Sequence, residues 1–506
     1  MATTANPGAV TLSLISHTNA GKTTLARTLL RRDVGEILDQ AHVTDRSERY
    51  TLIETADARL YLWDTPGLGN TVRLMGRLRR ESSPIGWLLS QVWDRLADRP
   101  LWSSQQAILN ARDEADAVLY LVNSAEDPDQ AAYVAQELDL LTWIGCPVLV
   151  LLNQTGPALP MLAGEAGAEE ARRLEALWRA HTAPWPIVRD VLPLDAFSRC
   201  WVQEGVLFAR LEPLLPEAAR PILQMCAAAW SERNRLVLRA SVEKMAAYLV
   251  ATATDREAFT PAERSPLPWI SGLFPAATRQ AMQRLRERLE ARTRELVDAL
   301  VVAHGLEGRS TVTLREQMES FAVVGDEWLT PGRGAIIGGA LSGAVGGLAA
   351  DVGLGGLTFG GGAVLGAILG ALGGAGLAAG YRLAQGDRAP AVSWSGQFLS
   401  ELCGDAVLRY LAVAHFGRGR GGYADIAMSP RWAGLVSAVL DGYRDELSLA
   451  WSLAASADAI DRARVDALVE STLDRGTTAV LARGYPDTAP WFDIDSARAR
   501  WASAGQ

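Results

Sequence analysis

The run Ser16-His17-Thr18-Asn19-Ala20-Gly21-Lys22-Thr23 places a lysine and a hydroxyl directly after a glycine. That arrangement wraps phosphate groups: backbone N–H groups face the anion, and the helix that follows adds the positive end of its dipole. Lys22 is expected to reach the terminal phosphates and Thr23 to hold magnesium. Gly21 lets the backbone come close, and Asn19, Ala20 and Thr24 complete the phosphate contacts. The usual pattern, G-x-x-x-x-G-K-[ST], has glycine where this chain has Ser16, so the turn is expected to be slightly reshaped. Lysine usage sharpens the reading. The chain has only two lysines, Lys22 and Lys244, and uses arginine elsewhere. It has kept a compact ammonium in the one loop where a point charge must sit against phosphates.

A second constellation is Asp64-Thr65-Pro66-Gly67, at the end of an apolar stretch containing Leu60 and Leu62. Asp64 is expected to contact magnesium through water, and the Gly67 N–H to sense the terminal phosphate. Two phosphate motifs in this order are far more specific than either alone.

These residues need a scaffold. Residues 9–15 read as a short buried strand ahead of the loop, with a helix at 22–32 after it. Residues 50–55 and 59–64 read as a hairpin. Buried strands follow at 117–123 and 147–153, a helix at 129–143 between them, a polar helix at 165–181 and a last strand at 188–194. Strands alternating with helices imply an α/β parallel sheet with ligands at the carboxyl ends of its strands. The hairpin adds one antiparallel edge, which gives the Ras-like order. The stretch 68–114 is long for its position. It holds Trp87, Trp93 and Trp102 and an arginine group at Arg73, Arg77, Arg79 and Arg80. It reads as inserted helices, either a solvated face over a small apolar seam or a contact for a partner or anionic lipid.

At 506 residues the chain exceeds one core, and two to four domains are expected. A net charge of -9 argues against a dedicated nucleic-acid binder, which needs a basic face. Cys146, Cys200, Cys226 and Cys403 show no paired spacing, which argues against a zinc site or a disulfide framework and fits a reducing compartment. The first eight residues lack the pattern of a secretory signal.

With both phosphate motifs in place, residues 1–200 resemble an Era-like member of the translation-factor-related P-loop GTPases. The whole chain resembles bacterial proteins that join such a GTPase to a C-terminal domain of unknown function. The resemblance implies GTP and GDP as ligands with Mg2+, and it makes Thr44 the candidate switch threonine that caps the metal. Leu68 stands where Ras-type enzymes place a water-orienting glutamine, and leucine cannot do that work. Hydrolysis must then use another group, a partner or a bound cation. Relatives that use K+ carry asparagine at the position of Asn19, so Asn19 is either a cation ligand with a catalytic role or a brace of the loop. The base-reading motif Asn-Lys-x-Asp is represented by Asn153-Gln154-Thr155-Gly156. Asn153 matches and Gln154 can lie along the base, but Gly156 offers no carboxylate. Asp195-Ala196 is the candidate for the remaining base loop. Guanine specificity is therefore implied by the resemblance alone.

Beyond residue 215 the pattern becomes helical, at 221–250 and at 276–304. Met282, Leu285, Leu289, Leu296 and Ala299 form a near-heptad stripe, which suits a coiled coil or packing within a bundle. Residues 392–482 are again helical, broken at 417–422. Between these regions, 18 of the 47 glycines fall in residues 334–380. Gly339, Gly343 and Gly347, then Gly362, Gly366, Gly370 and Gly374, recur every four residues, as a glycine-zipper helical hairpin requires. Arg333 and Arg382 favour both ends on the cytoplasmic side. The arm 335–350 would span roughly 24 Å, short of a ~30 Å hydrocarbon core. A membrane-inserted hairpin, a soluble buried hairpin and a flexible linker all remain as readings.

The expected architecture is thus a GTPase domain at 1–215, a helical domain at 216–330, a glycine-zipper hairpin at 331–385, associated with membrane, and a helical domain at 386–506. The expected function is a membrane-associated GTPase at the cytoplasmic face of the inner membrane. Its partners would be lipid or a membrane protein, without nucleic acid, and a homodimer through the nucleotide face is compatible with the resemblance. The alternatives are a non-hydrolysing nucleotide-binding membrane scaffold and a P-loop protein that prefers ATP.

Overall fold

The computed structural model describes residues 8–17, 20–30, 47–68, 71–78, 99–153, 164–194, 201–259, 276–306, 381–384, 391–415, 430–456 and 459–485. The elements of the N-terminal part are β1 (Gly8–Ser16), α1 (Lys22–Leu30), β2 (Glu48–Glu54), β3 (Ala58–Asp64), α2 (Thr71–Leu78), α3 (Arg99–Asp113), β4 (Ala117–Asn123), α4 (Ala132–Ile144), β5 (Val148–Asn153), α5 (Gly164–Thr182), β6 (Val188–Pro193) and α6 (Trp201–Leu211). The sheet runs β2-β3-β1-β4-β5-β6, with β2 antiparallel to β3 and every other pair parallel. This is the expected Ras-like order with one antiparallel edge. The hairpin turn is tied by Thr55, whose Oγ1 accepts from the Ala58 N–H at 2.9 Å.

Strand alternation divides the core into two layers. Ala117, Leu119 and Leu121 of β4 pack on one face, and Val118, Tyr120 and Val122 on the other. In β5, Leu149 and Leu151 join the first set, and Val148, Val150 and Leu152 the second. The second face is covered by α2, α3, α4 and α5, with Trp178 wholly buried. Helix α4 stops at Gly145, a left-handed residue (φ +84°) whose N–H returns to the Leu141 carbonyl at 3.1 Å.

The first face is covered by α1, α6 and the long α7 (Arg220–Ala253). Helix α7 lies against β1, β2 and β3 and also against the C-terminal helices. Its buried residues include Leu223, Cys226, Trp230, Leu238, Val242, Met245 and Leu249. Each large apolar side chain so buried contributes about 1.5–3 kcal/mol. Trp230 packs on Trp201 and Phe208 of α6, and its indole N–H donates to buried Glu204 at 2.7 Å. One apolar cluster thus runs from Val10 to Tyr485, across the short turns at 212–219 that hold the expected division between 215 and 216.

The remaining elements are β7 (Arg256–Ala258), α8 (Ala276–Ala303), β8 (Tyr381–Ala384), β9 (Ala391–Trp394), α9 (Gly396–Ala414), α10 (Pro430–Leu440), α11 (Arg444–Ser456) and α12 (Ala459–Gly484). The region is mostly helical, as expected. The α8 stripe at Met282, Leu285 and Leu296 is buried within the chain, and α8 packs on α7. The seam is therefore internal bundle packing. A small sheet in the order β7-β9-β8 was not anticipated. Its strands are three or four residues long, too short for a period-2 signal, and Arg256 pairs with Ser393 from far along the chain. Arg382, expected to flank the hairpin, pairs as a strand residue with Ser393. The glycine-rich segment 334–380 lies outside the described residues. No helix among the described residues is long and apolar enough to cross a membrane.

Candidate functional site: a phosphate loop at the sheet's carboxyl edge

The loop between β1 and α1 sits where parallel strands end, the edge at which such sheets bind ligands. Gly21 adopts φ +91°, and a Cβ there would stand 2.5 Å from Asn153 Nδ2. Both the backbone angle and the space require glycine. Asn153, fully buried at the end of β5, donates from Nδ2 to the Ala20 carbonyl at 2.8 Å. The structure thus uses its amide to hold the loop from below. Thr24 is buried in the first turn of α1, and the Leu25 N–H closes the first helical bond onto Gly21 at 2.9 Å.

Lys22 is buried. Its Nζ donates to Ser16 Oγ at 2.8 Å and, at 3.5 Å, to the His17 carbonyl. The serine in place of the usual first glycine therefore parks the ammonium. Burial pulls the Lys22 pKa below the ordinary lysine value, and the charges of Asp64 and Glu137 push back. Thr23 Oγ1 donates to Asp64 Oδ2 at 2.7 Å. Asp64 is also buried, and burial raises its pKa to about 6 against the opposing effects of the Thr23 bond and Lys22. Its Oδ1 is a buried acceptor without a hydrogen-bond partner. A hydroxyl, a carboxylate with one unfilled oxygen and a buried ammonium together fit a hard, oxygen-seeking cation beside an anion.

The second motif is laced to the first. The Leu68 N–H donates to the Ser16 carbonyl at 2.8 Å, Thr65 Oγ1 donates to the Leu14 carbonyl at 2.5 Å, and His17 and Leu68 form a parallel bridge. Gly67 is buried between them. Leu68 is 1% exposed and packs with Leu74, Met75 and Leu78, so its side chain serves the core.

The structure therefore brings together Ala20, Gly21, Lys22, Thr23, Thr24, Asp64, Gly67 and Asn153. Asn19, Thr44, Gln154, Gly156, Asp195 and Ala196 lie outside the described residues, as do Arg79, Arg80, Trp87 and Trp93. Sequence reasoning missed Glu137. On α4 it lies wholly buried and accepts hydrogen bonds from His17 at 2.8 Å, Thr71 at 3.1 Å and Tyr120 at 2.6 Å. The signal was present: Glu137 falls on the helical stripe of Val134, Leu138 and Leu141, where an apolar residue belongs.

Residues 11–154 match a family model described as 50S ribosome-binding GTPase. Residues 189–463, just over half of the chain, match a model described as a domain of unknown function, DUF3482. Comparison with curated proteins gives no match. Among solved structures, the chain is similar to Aquifex aeolicus Era bound to GDP.AlF4-, at 16% identity over 56% of this chain and 89% of that chain, TM-score 0.29. It is similar to Era in complex with MgGDPNP and a segment of 16S ribosomal RNA, at 16% over 56% and 89%, TM-score 0.30. It is similar also to NFeoB from S. thermophilus bound to GDP.AlF4- and K+, at 13% over 62% and 98%, TM-score 0.25. The assignment rests on the two family models and on the sheet order and phosphate loop described above. The chain belongs to the DUF3482 family and carries a P-loop GTPase domain at its N-terminal end.

Proposed function

We propose that this GTPase binds GTP through the phosphate loop and hydrolyses it to GDP, and that it passes its nucleotide state through α7 to the C-terminal helical region. The observation that carries the reading is the cluster of Lys22, Thr23 and Asp64, with the unfilled Asp64 Oδ1 buried beside a hydroxyl. Thr23 and Asp64 would hold Mg2+, with Thr44 as a further ligand. Bound there, the metal neutralises phosphate charge. Lys22 binds and orients the phosphates and meets the charge that develops on the leaving oxygens. In this reading Asn19, Ala20, Gly21, Thr24 and Gly67 contribute phosphate contacts, and Gln154, Asp195 and Ala196 contact the base. Helix α7 supports the coupling because it touches both β1–β3 and the C-terminal bundle.

Buried Leu68 orients no water, which puts the demand for another group on Asn19 and a potassium ion. Phosphate release measured in potassium and in sodium buffer tests this. Release by the wild type in potassium, lost in Lys22→Ala, supports an active GTPase. Nucleotide binding without release in either buffer would leave the scaffold alternative.

The glycine-rich segment 334–380 is the proposed contact with the cytoplasmic face of the inner membrane, through lipid or a membrane protein. The acidic balance of the chain argues against a nucleic-acid partner. Fractionation of cells that express the full chain or a deletion of 334–380 tests it. The full chain is expected with membranes and the deletion in the soluble fraction, and two soluble proteins would refute the membrane reading.

A further inference from the structure

Glu137 belongs to none of the motifs above, yet three segments around the phosphate loop converge on it. Its Oε1 accepts from His17 Nδ1 at 2.8 Å and from Thr71 Oγ1 at 3.1 Å, and its Oε2 accepts from the Tyr120 hydroxyl at 2.6 Å. His17 opens the phosphate loop, Thr71 is the first residue of α2, and Tyr120 lies on β4. His17 is held from its other side by stacking on Tyr133, with ring centroids 4.3 Å apart, and Tyr133 donates to Glu126 at 2.9 Å. A buried carboxylate persists only when its lone pairs are filled. Here each donor comes from a different segment, so the carboxylate ties together the start of the phosphate loop, the start of α2 and β4.

We infer that Glu137 is a positioning residue for the GTPase reaction, latching the start of α2 through Thr71 to the phosphate loop through His17. The inference rests on the reading of Lys22, Thr23 and Asp64 as the GTP site. Asp64 and Gly67 precede α2 in the chain, so holding Thr71 fixes where the start of α2 stands relative to the phosphate loop. The Oε1 atom is shared, and its bond to Thr71 is the longer of the two. Withdrawal of Thr71 therefore leaves the His17 bond in place. The latch opens on the α2 side while the loop stays formed, which is the asymmetry a nucleotide-sensing segment needs. The same carboxylate also opposes the burial that lowers the Lys22 pKa.

The test uses the full chain as Thr71→Val, His17→Asn, the pair of them, and Glu137→Gln. Affinities for GDP and for a non-hydrolysable GTP analogue are measured, with kcat and KM for GTP. Thr71→Val keeps the shape of the side chain and is the variant least prone to misfold. It is expected to change the ratio of analogue to GDP affinity by about tenfold and to lower kcat with little change in KM. The His17 and Thr71 effects are expected to be non-additive, the pair costing no more than Glu137→Gln. Equal effects of Thr71→Val on both nucleotides, or additive losses in the pair, would overturn the latch and leave Glu137 a packing residue. A wild type that binds neither nucleotide would sink the GTP-site reading and the latch with it. A wild type that distinguishes the two, with Thr71→Val distinguishing them equally, sinks the latch alone.

Discussion

Gly21 and Asn153 fit so closely that neither tolerates change. A Cβ at position 21 meets the Asn153 amide nitrogen at 2.5 Å, on a backbone at φ +91°. Gly21→Ala must therefore distort the loop, and loss of measurable nucleotide binding is the expected result. Asn153→Ala removes the donor that serves the Ala20 carbonyl. It should cost about 1–3 kcal/mol in denaturant unfolding and weaken nucleotide binding in parallel. An unchanged unfolding midpoint would show that another group takes over that carbonyl. Residues 22, 23 and 64 were legible in the sequence because phosphate chemistry restricts what can stand there. The base-reading motif had suggested contact with the base for Asn153. A tertiary bond across from β5 to the loop, invisible in local pattern, puts its amide on Ala20. Glu137 was legible only in part: its place on the apolar stripe of α4 marks it as buried, but its three donors come from other segments and show only in the fold.

Helices α9 and α12 are joined through a buried histidine. His415 Nδ1–H donates to the Leu411 carbonyl at 2.6 Å, and Nε2 accepts from the Tyr485 hydroxyl at 2.5 Å, with Trp432 edge-on at 4.7 Å. This pattern satisfies a neutral imidazole completely and has no place for a second ring proton. Burial lowers its pKa from 6.5 to about 4. The folded state thus binds that proton less readily than the unfolded state. The stability His415 contributes is complete above about pH 6.5 and declines as the pH falls toward 4, by on the order of 3 kcal/mol. Unfolding measured across that window should show the slope, and His415→Asn should flatten it. Equal slopes would mean other groups carry it. At this scale the sheet strands and long helices were legible, because buried parallel strands are short apolar runs and the helices carry stripes. The β7-β9-β8 sheet was not, since its stability comes from pairing distant segments and not from any local preference.

Across the whole molecule, α7 is the member that makes two regions one. Ile222 packs over Gly8 at the head of β1, Trp230 closes on α6, and Thr254 at the helix end accepts from Arg462 of α12 at 3.0 Å. The length of the chain suggests several domains, and the change of pattern near residue 215 suggests a boundary. Yet apolar surface on β1, β2 and β3 is covered by a helix from beyond that point. A chain ending at residue 215 should expose that surface and be less stable than one ending at residue 259, by about 3–6 kcal/mol. Thermal unfolding of the two fragments decides this, and equal midpoints would mean the sheet needs no cover from α7. The same contact gives the proposed coupling a physical route, because motion of β3 and its Asp64 loop bears on α7.

The central claim, that Lys22, Thr23 and Asp64 form a GTP site completed by magnesium, is tested most directly by binding of a fluorescent GTP analogue to the full chain with and without Mg2+, with GTP and ATP as competitors. The account predicts that Mg2+ tightens binding to the wild type, that Asp64→Asn loses this gain, and that GTP displaces the analogue at far lower concentration than ATP. Equal displacement by ATP, or binding indifferent both to Mg2+ and to Asp64→Asn, would contradict it.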